Sequence, residues 1–209
     1  MSRIFAMSDI HGHYDEFIEN LSKIDLSDKD NQLILLGDYI DNGSQSFQVI
    51  SKIIELEKIY PKQIITLFGN HEEWFYDWLI LDNPTASAFP ETIKSFFSTE
   101  ELNYILKSNP NNFETGVRNE IRNNDKYIPF INWFQKRYED SRYFETENQI
   151  FVHAGIDEEA GDLWKALTDT KTFTNKFPLT TGKFYKDIII ETGYNNIKEK
   201  STLMLLKNN

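Results

Sequence analysis

The sequence contains no cysteine, and this absence removes several kinds of chemistry. Without thiols the protein has no disulfide, no cysteine nucleophile, and no zinc or iron–sulfur site with thiolate ligands. The absence also fits a reducing compartment. Histidine is scarce as well, with four residues in 209, so carboxylate and amide oxygens must supply most ligands of any metal ion. The four imidazoles are those of His11, His13, His71 and His153.

Long apolar runs are also missing. No segment approaches the length that spans a bilayer, and residues 1–9 lack the apolar stretch of a signal peptide. Basic residues are outnumbered, 22 Lys and Arg against 33 Asp and Glu, for a net charge of −11. This charge repels phosphate at long range and predicts no nucleic-acid partner and no membrane partner. We therefore expect a cytoplasmic protein that binds an anion only where metal dications supply positive charge.

Apolar residues make up 40% of the chain, which is enough for a sizeable core. In residues 1–70 they alternate between two patterns. Apolar runs at 3–8, 32–36 and 63–68 predict strands, and helical spacing after Phe17 and Phe47 predicts the two helices between them. Strands and helices in this order, with short connections, imply a parallel sheet covered by helices.

Residues 72 to about 145 have a different, aromatic-rich pattern that we interpret as a helical insertion. Helical spacing is present at 74–81, 90–97, 100–106 and 128–138. Ser98 and Glu101 have the form of a capping box. The polar, Asn-rich segment 109–124 between these helices predicts a loop. Further strands are expected at 149–152, 187–190 and 201–206.

Polar clusters follow four of the apolar runs, at the points where strands would end. These clusters are Asp9–Gly12, Gly37–Gly43, Gly69–Glu72 and His153–Gly155. In open α/β sheets, ligands bind at the carboxyl ends of the strands. Asp9 and His11 are two residues apart, so an extended backbone would direct both side chains to one face. There a carboxylate and an imidazole can hold one metal ion.

Asp38 has two carboxylate oxygens and could bridge this ion to a second one, which Asn70 and His153 would complete. Mixed oxygen and nitrogen ligands without thiolates favour manganese, iron or zinc over copper or calcium. Each residue also has an ordinary interpretation, because Asp and Asn are common in turns and Asp9 and Asn70 can cap helices. Complementary ligand types at four separate strand ends favour the metal interpretation.

Taken together, the motifs SDIHG, GDYIDNG, GNHE and HAG resemble the ordered motifs of the calcineurin-like metallophosphoesterases. They are most similar to those of the bacterial phosphoprotein phosphatases and the symmetrical diadenosine tetraphosphate hydrolases, over residues 1 to about 186. The resemblance implies an α/β fold, a four-layer α/β/β/α sandwich of two mixed sheets packed face to face. It further implies one domain over residues 1–209, with the helical insertion at about 83–145.

The resemblance also implies a role for each motif residue. Two divalent ions are expected, with Mn²⁺ the expected metal and Fe or Zn the alternatives. His71 would be the general acid that protonates the leaving oxygen, and Asp41 would orient it. The metal ligands would be Asp9, His11, Asp38, Asn70 and His153.

Three positions depart from the family pattern. Asn42 and Lys165 stand where the family has phosphate-binding arginines, and neither provides a bidentate guanidinium for substrate phosphate. The family's C-terminal histidine ligand is absent, and Glu191 is the possible substitute. The C-terminal part is therefore expected to be shortened or diverged.

These observations leave several functions open. The first is a metal-dependent phosphoesterase, similar to protein Ser/Thr phosphatases, that hydrolyses a phosphoester with water activated by two ions. The alternatives are a degenerate member that binds metal or phosphate with little or no activity, and a symmetrical dinucleoside polyphosphate hydrolase. The expected substrate is a phosphoprotein, a nucleotide or a small phosphoester. Its selection would depend on region 83–145, which contains four arginines whose ordinary interpretation is solvated surface charge. They are Arg118, Arg122, Arg137 and Arg142.

Overall fold

The computed structural model describes residues 3–83, 89–178, 181–184, 188–193 and 202–206. The strands in this part of the chain form two four-stranded sheets. The first sheet contains β1 (Ile4–Ser8), β2 (Gln32–Leu35), β3 (Ile64–Thr66) and β8 (Thr202–Leu206). The second sheet contains β4 (Tyr143–Glu145), β5 (Gln149–Val152), β6 (Gly182–Lys183) and β7 (Ile189–Thr192).

The first sheet has the strand order β3-β2-β1-β8. Its first three strands are parallel, as the alternating pattern predicts, with Ala6 opposite Ile34 and Ile34 opposite Ile65. Strand β8 is antiparallel to β1, so the sheet is mixed. Because β1, β2 and β3 are parallel, their carboxyl ends share one edge of the sheet.

The second sheet has the order β4-β5-β7-β6, in which only β5 and β7 pair in parallel. Between the two sheets, Phe151 of β5 packs with Ile34, Leu36 and Leu67 from the first sheet. This apolar layer places the sheets face to face. With helices on both outer sides, it confirms the four-layer α/β/β/α sandwich.

Helices cover the outer face of each sheet. On the first sheet they enclose the largest apolar cluster, which includes Phe17, Val49 and Phe134. On the second sheet, Trp164 and Phe173 cover a smaller cluster. The helices are α1 (Tyr14–Leu21), α2 (Ser46–Ile59), α3 (Asn70–Leu79), α4 (Pro90–Phe96), α5 (Thr99–Ser108), α6 (Phe113–Asn123), α7 (Ile128–Glu139), α8 (Trp164–Leu167) and α9 (Thr170–Asn175). Within the described ranges, none of these helices is long and apolar enough to cross a membrane.

Helix α6 contradicts the loop predicted for residues 109–124. Asn112 caps its start by accepting a hydrogen bond from the Thr115 N–H at 3.2 Å, and Val117 and Ile121 bury one face at helical spacing. A neighbouring face reaches α3, where Arg122 donates to the carbonyl of Leu79 near the helix end. The Asn-rich composition obscured this amphipathic pattern, so tertiary packing decided the structure.

The other predicted elements agree with the structure except at their ends. The capping box at α5 is confirmed, since Ser98 Oγ accepts from the Glu101 N–H at 3.2 Å and Glu101 Oε2 accepts from the Ser98 N–H at 2.6 Å. Helix α3 begins at Asn70, four residues before the predicted start at Trp74. Of the strands predicted at 187–190 and 201–206, residues 187 and 201 lie outside the described part of the chain.

Candidate metal and catalytic site

Four chain segments meet at the carboxyl ends of the strands. Asp9 follows β1, Asp38 lies in the loop after β2, Asn70 begins α3, and His153 follows β5. The first two loops are joined by backbone hydrogen bonds, such as the His11 N–H to the Asp38 carbonyl at 2.9 Å. The ligands on these two loops, Asp9, His11 and Asp38, are therefore held together by backbone contacts.

Several residues of these loops have a left-handed backbone, although none of them is glycine. The φ angles are 53° at Asp9, 45° at His11, 56° at Asp38, 71° at Asp41 and 63° at Asn42. Such conformations are uncommon outside glycine and cluster at functional sites. The prediction that Asp9 and His11 share a face through extended backbone is therefore wrong in its reasoning. The two side chains still meet, with 3.9 Å between Asp9 Oδ1 and His11 Nε2.

The Asp38 carboxylate lies at the centre of the site and is almost completely buried. Its Oδ2 atom is 3.7 Å from His11 Nε2, 3.5 Å from His153 Nε2 and 3.9 Å from His71 Nε2. The ligand atoms of His11, Asp38 and His71 all lie within 4.8 Å of one another, which is a spacing that suits a metal ion. One carboxylate oxygen thus faces three imidazoles.

Two of these imidazoles are oriented by backbone carbonyls. His11 Nδ1 is 2.8 Å from the Ile40 oxygen, and His153 Nδ1 is 2.8 Å from the Leu36 oxygen. Because a carbonyl only accepts, each Nδ1 carries a proton, and Nε2 faces the site. His153 Nε2 is 3.0 Å from Asn70 Oδ1. An imidazole nitrogen and an amide oxygen at this spacing can bind the same cation.

The charge of the site also favours a cation. Among the described residues, the ion pairs of Asp9 and Asp38 are with histidines alone and with no lysine or arginine. Burial raises the pKa of the Asp9 carboxyl, with His153 acting against this shift and the Asp38 charge adding to it. Carboxylates, an amide oxygen and imidazole nitrogens form a donor set that suits Mn²⁺, Fe²⁺ or Zn²⁺.

His71 pairs with Asp41, as predicted for a general acid and its orienting carboxylate. The distance from His71 Nδ1 to Asp41 Oδ2 is 2.7 Å. Burial lowers the pKa of His71, but the hydrogen bond to Asp41 and the charge of Asp38 outweigh it and raise that pKa to about 9. The ring is therefore protonated at neutral pH. Its Nε2 atom is directed at the carboxylate of Asp38.

Glu72 is a residue of this site whose role the sequence analysis missed. Its side chain is fully buried and accepts four backbone N–H groups. The donors are Asp38 at 2.8 Å, Tyr39 at 2.8 Å, Ile40 at 3.3 Å and Gly69 at 3.0 Å. Burial, together with the Asp38 charge, raises the pKa of Glu72 to about 7. The signal was present in the GNHE motif, whose last residue was given no role.

The remaining predicted residues are not brought to the cluster by any described contact. Asn42 is exposed in the loop beside Asp41. Lys165 is half exposed and pairs with Glu145. Glu191 lies on β7, half-buried, 3.5 Å from Gln149 Nε2.

All four arginines in the helical region bind neighbouring parts of the same chain. Arg118 and Arg122 both pair with Asp82, and Arg137 pairs with Glu57 at 3.0 Å. Arg142 is buried, which the interpretation as solvated surface charge did not anticipate, and its Nε donates to Glu73 at 3.0 Å. These contacts assign the four arginines to the packing of the helices.

Comparison with known proteins identifies the family of this chain. A Candida albicans protein named serine/threonine-protein phosphatase PP2A-like PPG1 is 37% identical over 71 residues, which are 34% of this chain and 17% of that protein. The chain thus spans less than a fifth of this relative's length.

Two solved structures resemble the fold. One is a serine/threonine phosphatase from Saccharomyces cerevisiae with similarity to human phosphatase PP5, at 16% identity and a TM-score of 0.47, covering 86% of this chain and 44% of that one. The other is a metallophosphoesterase from Sphaerobacter thermophilus, at 17% identity and a TM-score of 0.38, covering 74% and 47%. The family model for calcineurin-like phosphoesterases matches residues 2–207, and the chain belongs to that family.

Proposed function

We propose that this protein is a metal-dependent phosphoesterase, similar to the protein Ser/Thr phosphatases, that uses two divalent ions. The observation that carries the proposal is the Asp38 oxygen, which faces the Nε2 atoms of three histidines at 3.5 to 3.9 Å. Membership in the phosphoesterase family supports the same reaction. Mn²⁺ is the expected metal, with Fe and Zn as alternatives.

Two ligand sets would share Asp38. Asp9 and His11 would hold the first ion with it, and Asn70 and His153 would hold the second. Bound divalent ions supply the Lewis-acid charge that offsets substrate phosphate and activates the attacking water. The residues themselves provide a rigid, buried frame, because the imidazoles are fixed by backbone carbonyls.

His71 would protonate the leaving oxygen. The hydrogen bond to Asp41 and the Asp38 charge raise its pKa to about 9, and the Asp41 bond favours the protonated ring also where ions offset the Asp38 charge. Asp41 holds the Nδ1 proton, so Nε2 carries the proton that is donated to substrate. A general acid of this kind contributes about 10²–10⁴-fold to the rate.

One observation favours the second candidate, a degenerate member that binds metal or phosphate with little activity. Lys165, which would replace a phosphate-binding arginine, is paired with Glu145 instead. Glu191, the possible substitute ligand, has its described contact with Gln149. Weak phosphate binding would appear as a high KM.

The two candidates are separated by measuring Mn²⁺-dependent hydrolysis of an aryl phosphate together with bound metal by elemental mass spectrometry. The proposal expects about two ions per chain, and activity that Asp38→Asn and His71→Asn abolish. His13→Asn is the matched control, since this histidine is exposed and outside the cluster. No activity with any divalent metal would favour the binding module.

Substrate class is tested with the active protein. We expect a phosphoserine or phosphothreonine peptide to be hydrolysed with a higher kcat/KM than a symmetrical dinucleoside polyphosphate. The reverse order would favour the dinucleoside polyphosphate hydrolase.

A further inference from the structure

Helix α4 packs against the loop that carries Asp41. Thr92, in the first turn of α4, and Ser46, at the start of α2, are both fully buried, and their hydroxyl oxygens are 3.2 Å apart. Neither residue belongs to the motifs at the strand ends. Buried hydroxyl groups require hydrogen-bond partners, and both of these find one on Asp41.

The hydroxyl of Thr92 contacts both the backbone and the side chain of Asp41. Thr92 Oγ1 accepts from the Asp41 N–H at 3.0 Å and donates to Asp41 Oδ1 at 2.6 Å. The other carboxylate oxygen, Oδ2, is 2.7 Å from His71 Nδ1. Each oxygen of the carboxylate therefore has its own short hydrogen bond, and the carboxylate cannot rotate without breaking one of them.

The backbone of Asp41 also needs support. Its φ of 71° lies in the left-handed region, which non-glycine residues seldom adopt. The N–H group of Asp41 points at two hydroxyl oxygens, Thr92 Oγ1 at 3.0 Å and Ser46 Oγ at 3.2 Å. These two acceptors hold the loop in the conformation that directs the carboxylate to His71.

Helix α4 is held against the start of α2 and the large apolar cluster. Ser95 Oγ accepts from the Phe47 N–H at 3.0 Å, at the start of α2, and donates to the Thr92 carbonyl at 2.6 Å. Ile93 and Phe96 are buried in the large apolar cluster. The hydrogen bonds of Ser95 and the burial of Ile93 and Phe96 therefore fix α4, and with it the position of the Thr92 hydroxyl.

We infer that Thr92 is a positioning residue for the Asp41–His71 pair, and that α4 supplies a part of the catalytic unit that lies outside the four motifs. This inference rests on the proposed function, in which His71 protonates the leaving group. The helical region then acts on the chemical step, in addition to any role in choosing substrate.

Leaving-group dependence distinguishes this role from a merely structural one. Proton donation matters most for an ester with a poor leaving group, such as phenyl phosphate. It matters little for 2,4-dinitrophenyl phosphate, whose leaving group departs without a proton. Misplacing His71 should therefore slow the first substrate more than the second.

The test compares Thr92→Val with the natural protein on both esters, with Mn²⁺ saturating. We expect kcat for phenyl phosphate to fall about 10- to 30-fold, and kcat for the dinitrophenyl ester to fall less than about 3-fold. KM and bound manganese should stay unchanged. Thr92→Ser, which keeps the hydroxyl, should restore most of the lost rate. An equal loss on both esters would overturn the inference.

Thr174→Val is the matched control. Thr174 is also fully buried, and its hydroxyl donates to a carboxylate, Glu73 Oε2, at 2.7 Å. Loss of the Thr174 hydroxyl should change kcat for phenyl phosphate and kcat for the dinitrophenyl ester by the same factor. If Thr92→Val does not fold, Thr92→Cys replaces the strong donor by a weak one at similar size, and the same selectivity is expected.

A second readout does not depend on turnover. The short bond between His71 Nδ1–H and Asp41 should give a downfield imidazole proton signal in the metal-free protein, assigned by its loss in His71→Asn. We expect this signal to move upfield or exchange faster with water in Thr92→Val. An unchanged signal contradicts the inference. A natural protein that hydrolyses neither ester contradicts only the proposed function.

Discussion

At the scale of single residues, the Glu72 side chain connects two segments of the site by hydrogen bonds. Its buried carboxylate accepts N–H groups from the loop after β2 and from Gly69 at the start of α3. Gly69 approaches Asp38 so closely that an added Cβ would lie 2.6 Å from the Asp38 backbone nitrogen. The position of the Asp38 carboxylate therefore depends on a glutamate and a glycine that bind no metal themselves.

Replacing Glu72 by Gln tests this dependence. The amide group would face backbone N–H donors and leave some of them unpaired, which costs about 1–3 kcal/mol of unfolding free energy. We expect a lower urea midpoint and a lower Mn²⁺ affinity. Glu55→Gln, at an exposed glutamate, is the control and should change the free energy by less than about 0.5 kcal/mol. Unchanged metal affinity in Glu72→Gln would contradict the role assigned here.

At this scale the sequence indicated which residues of the four motifs lie together, but not their conformations. Asp9, Asp38, Asn70 and His153 could be grouped because each follows a strand or lies in the loop after one. Glu72 was marked only by its place in the GNHE motif, and its role, like that of Thr92, depends on contacts between loops or helices that local patterns do not encode. Left-handed backbone at several ligand positions is likewise a consequence of loop-to-loop hydrogen bonds.

At the scale of elements, buried arginine and tyrosine side chains hold the helices to one another. Arg142 donates to Glu73 of α3 and to the carbonyls of Arg137 and Tyr138 near the end of α7. Tyr127, before α7, donates from its hydroxyl to the Phe96 carbonyl at 2.7 Å, at the end of α4. These contacts therefore hold α3, α4 and α7 in fixed positions relative to one another.

We expect Arg142→Ala to destabilise the protein by about 2–4 kcal/mol, because the half-buried Glu73 carboxylate would lose its charged partner and keep only the hydrogen bond from Thr174. Thermal unfolding followed by circular dichroism measures the change. Lys52→Ala is the control, since its ion pair with Glu55 is an exposed i,i+3 pair worth about 0.5 kcal/mol or less. Similar losses of unfolding free energy in both variants would show that burial of Arg142 adds no stability to its ion pair.

Tyr127→Phe gives a prediction with a pH dependence. Burial raises the pKa of Tyr127 to about 12, from 10.0 in an unfolded chain. Below pH 10 the natural protein should be more stable than Tyr127→Phe by about 1 kcal/mol, the value of one hydrogen bond. Between pH 10 and 12 the unfolded state loses the proton first, so this advantage should decrease. A constant difference in urea unfolding across that range would contradict the assignment.

The strands and most helices were predictable because their apolar spacing is regular, whereas α6 was not. Its buried face contains only a few apolar residues, asparagines flank it in the sequence, and its position depends on arginines that reach α3. Sheet pairing across the molecule, such as β8 beside β1, also lay beyond local patterns.

For the whole molecule, the excess of negative charge matters most at the edge where the four segments meet. With a net charge of −11, the chain repels the phosphate it is proposed to bind unless cations are present. The same cations would relieve the repulsion between Asp9 and Asp38. Metal binding should therefore stabilise the folded protein as well as attract substrate.

We expect saturating Mn²⁺, at about 100 times its dissociation constant, to add about 2.7 kcal/mol of stability for each ion bound. For a chain of this size the melting temperature should rise by roughly 5–10 °C for each ion, measured by differential scanning calorimetry. Asp38→Asn should lose most of this rise, and Asp30→Asn, at an exposed aspartate, should keep it. A rise that persists fully in Asp38→Asn would place the metal elsewhere.

The distance along the chain between the first and last members of the cluster has a consequence for biosynthesis. Asp9 is made 144 residues before His153 (153 − 9), an interval of roughly 7–30 s at ordinary translation rates. During that interval the carbonyl of Leu36, directly after β2, lacks the His153 ring that forms a hydrogen bond with it. The nascent polypeptide therefore carries an incomplete, acid-rich centre on the ribosome until His153, the last imidazole of the site, has been made.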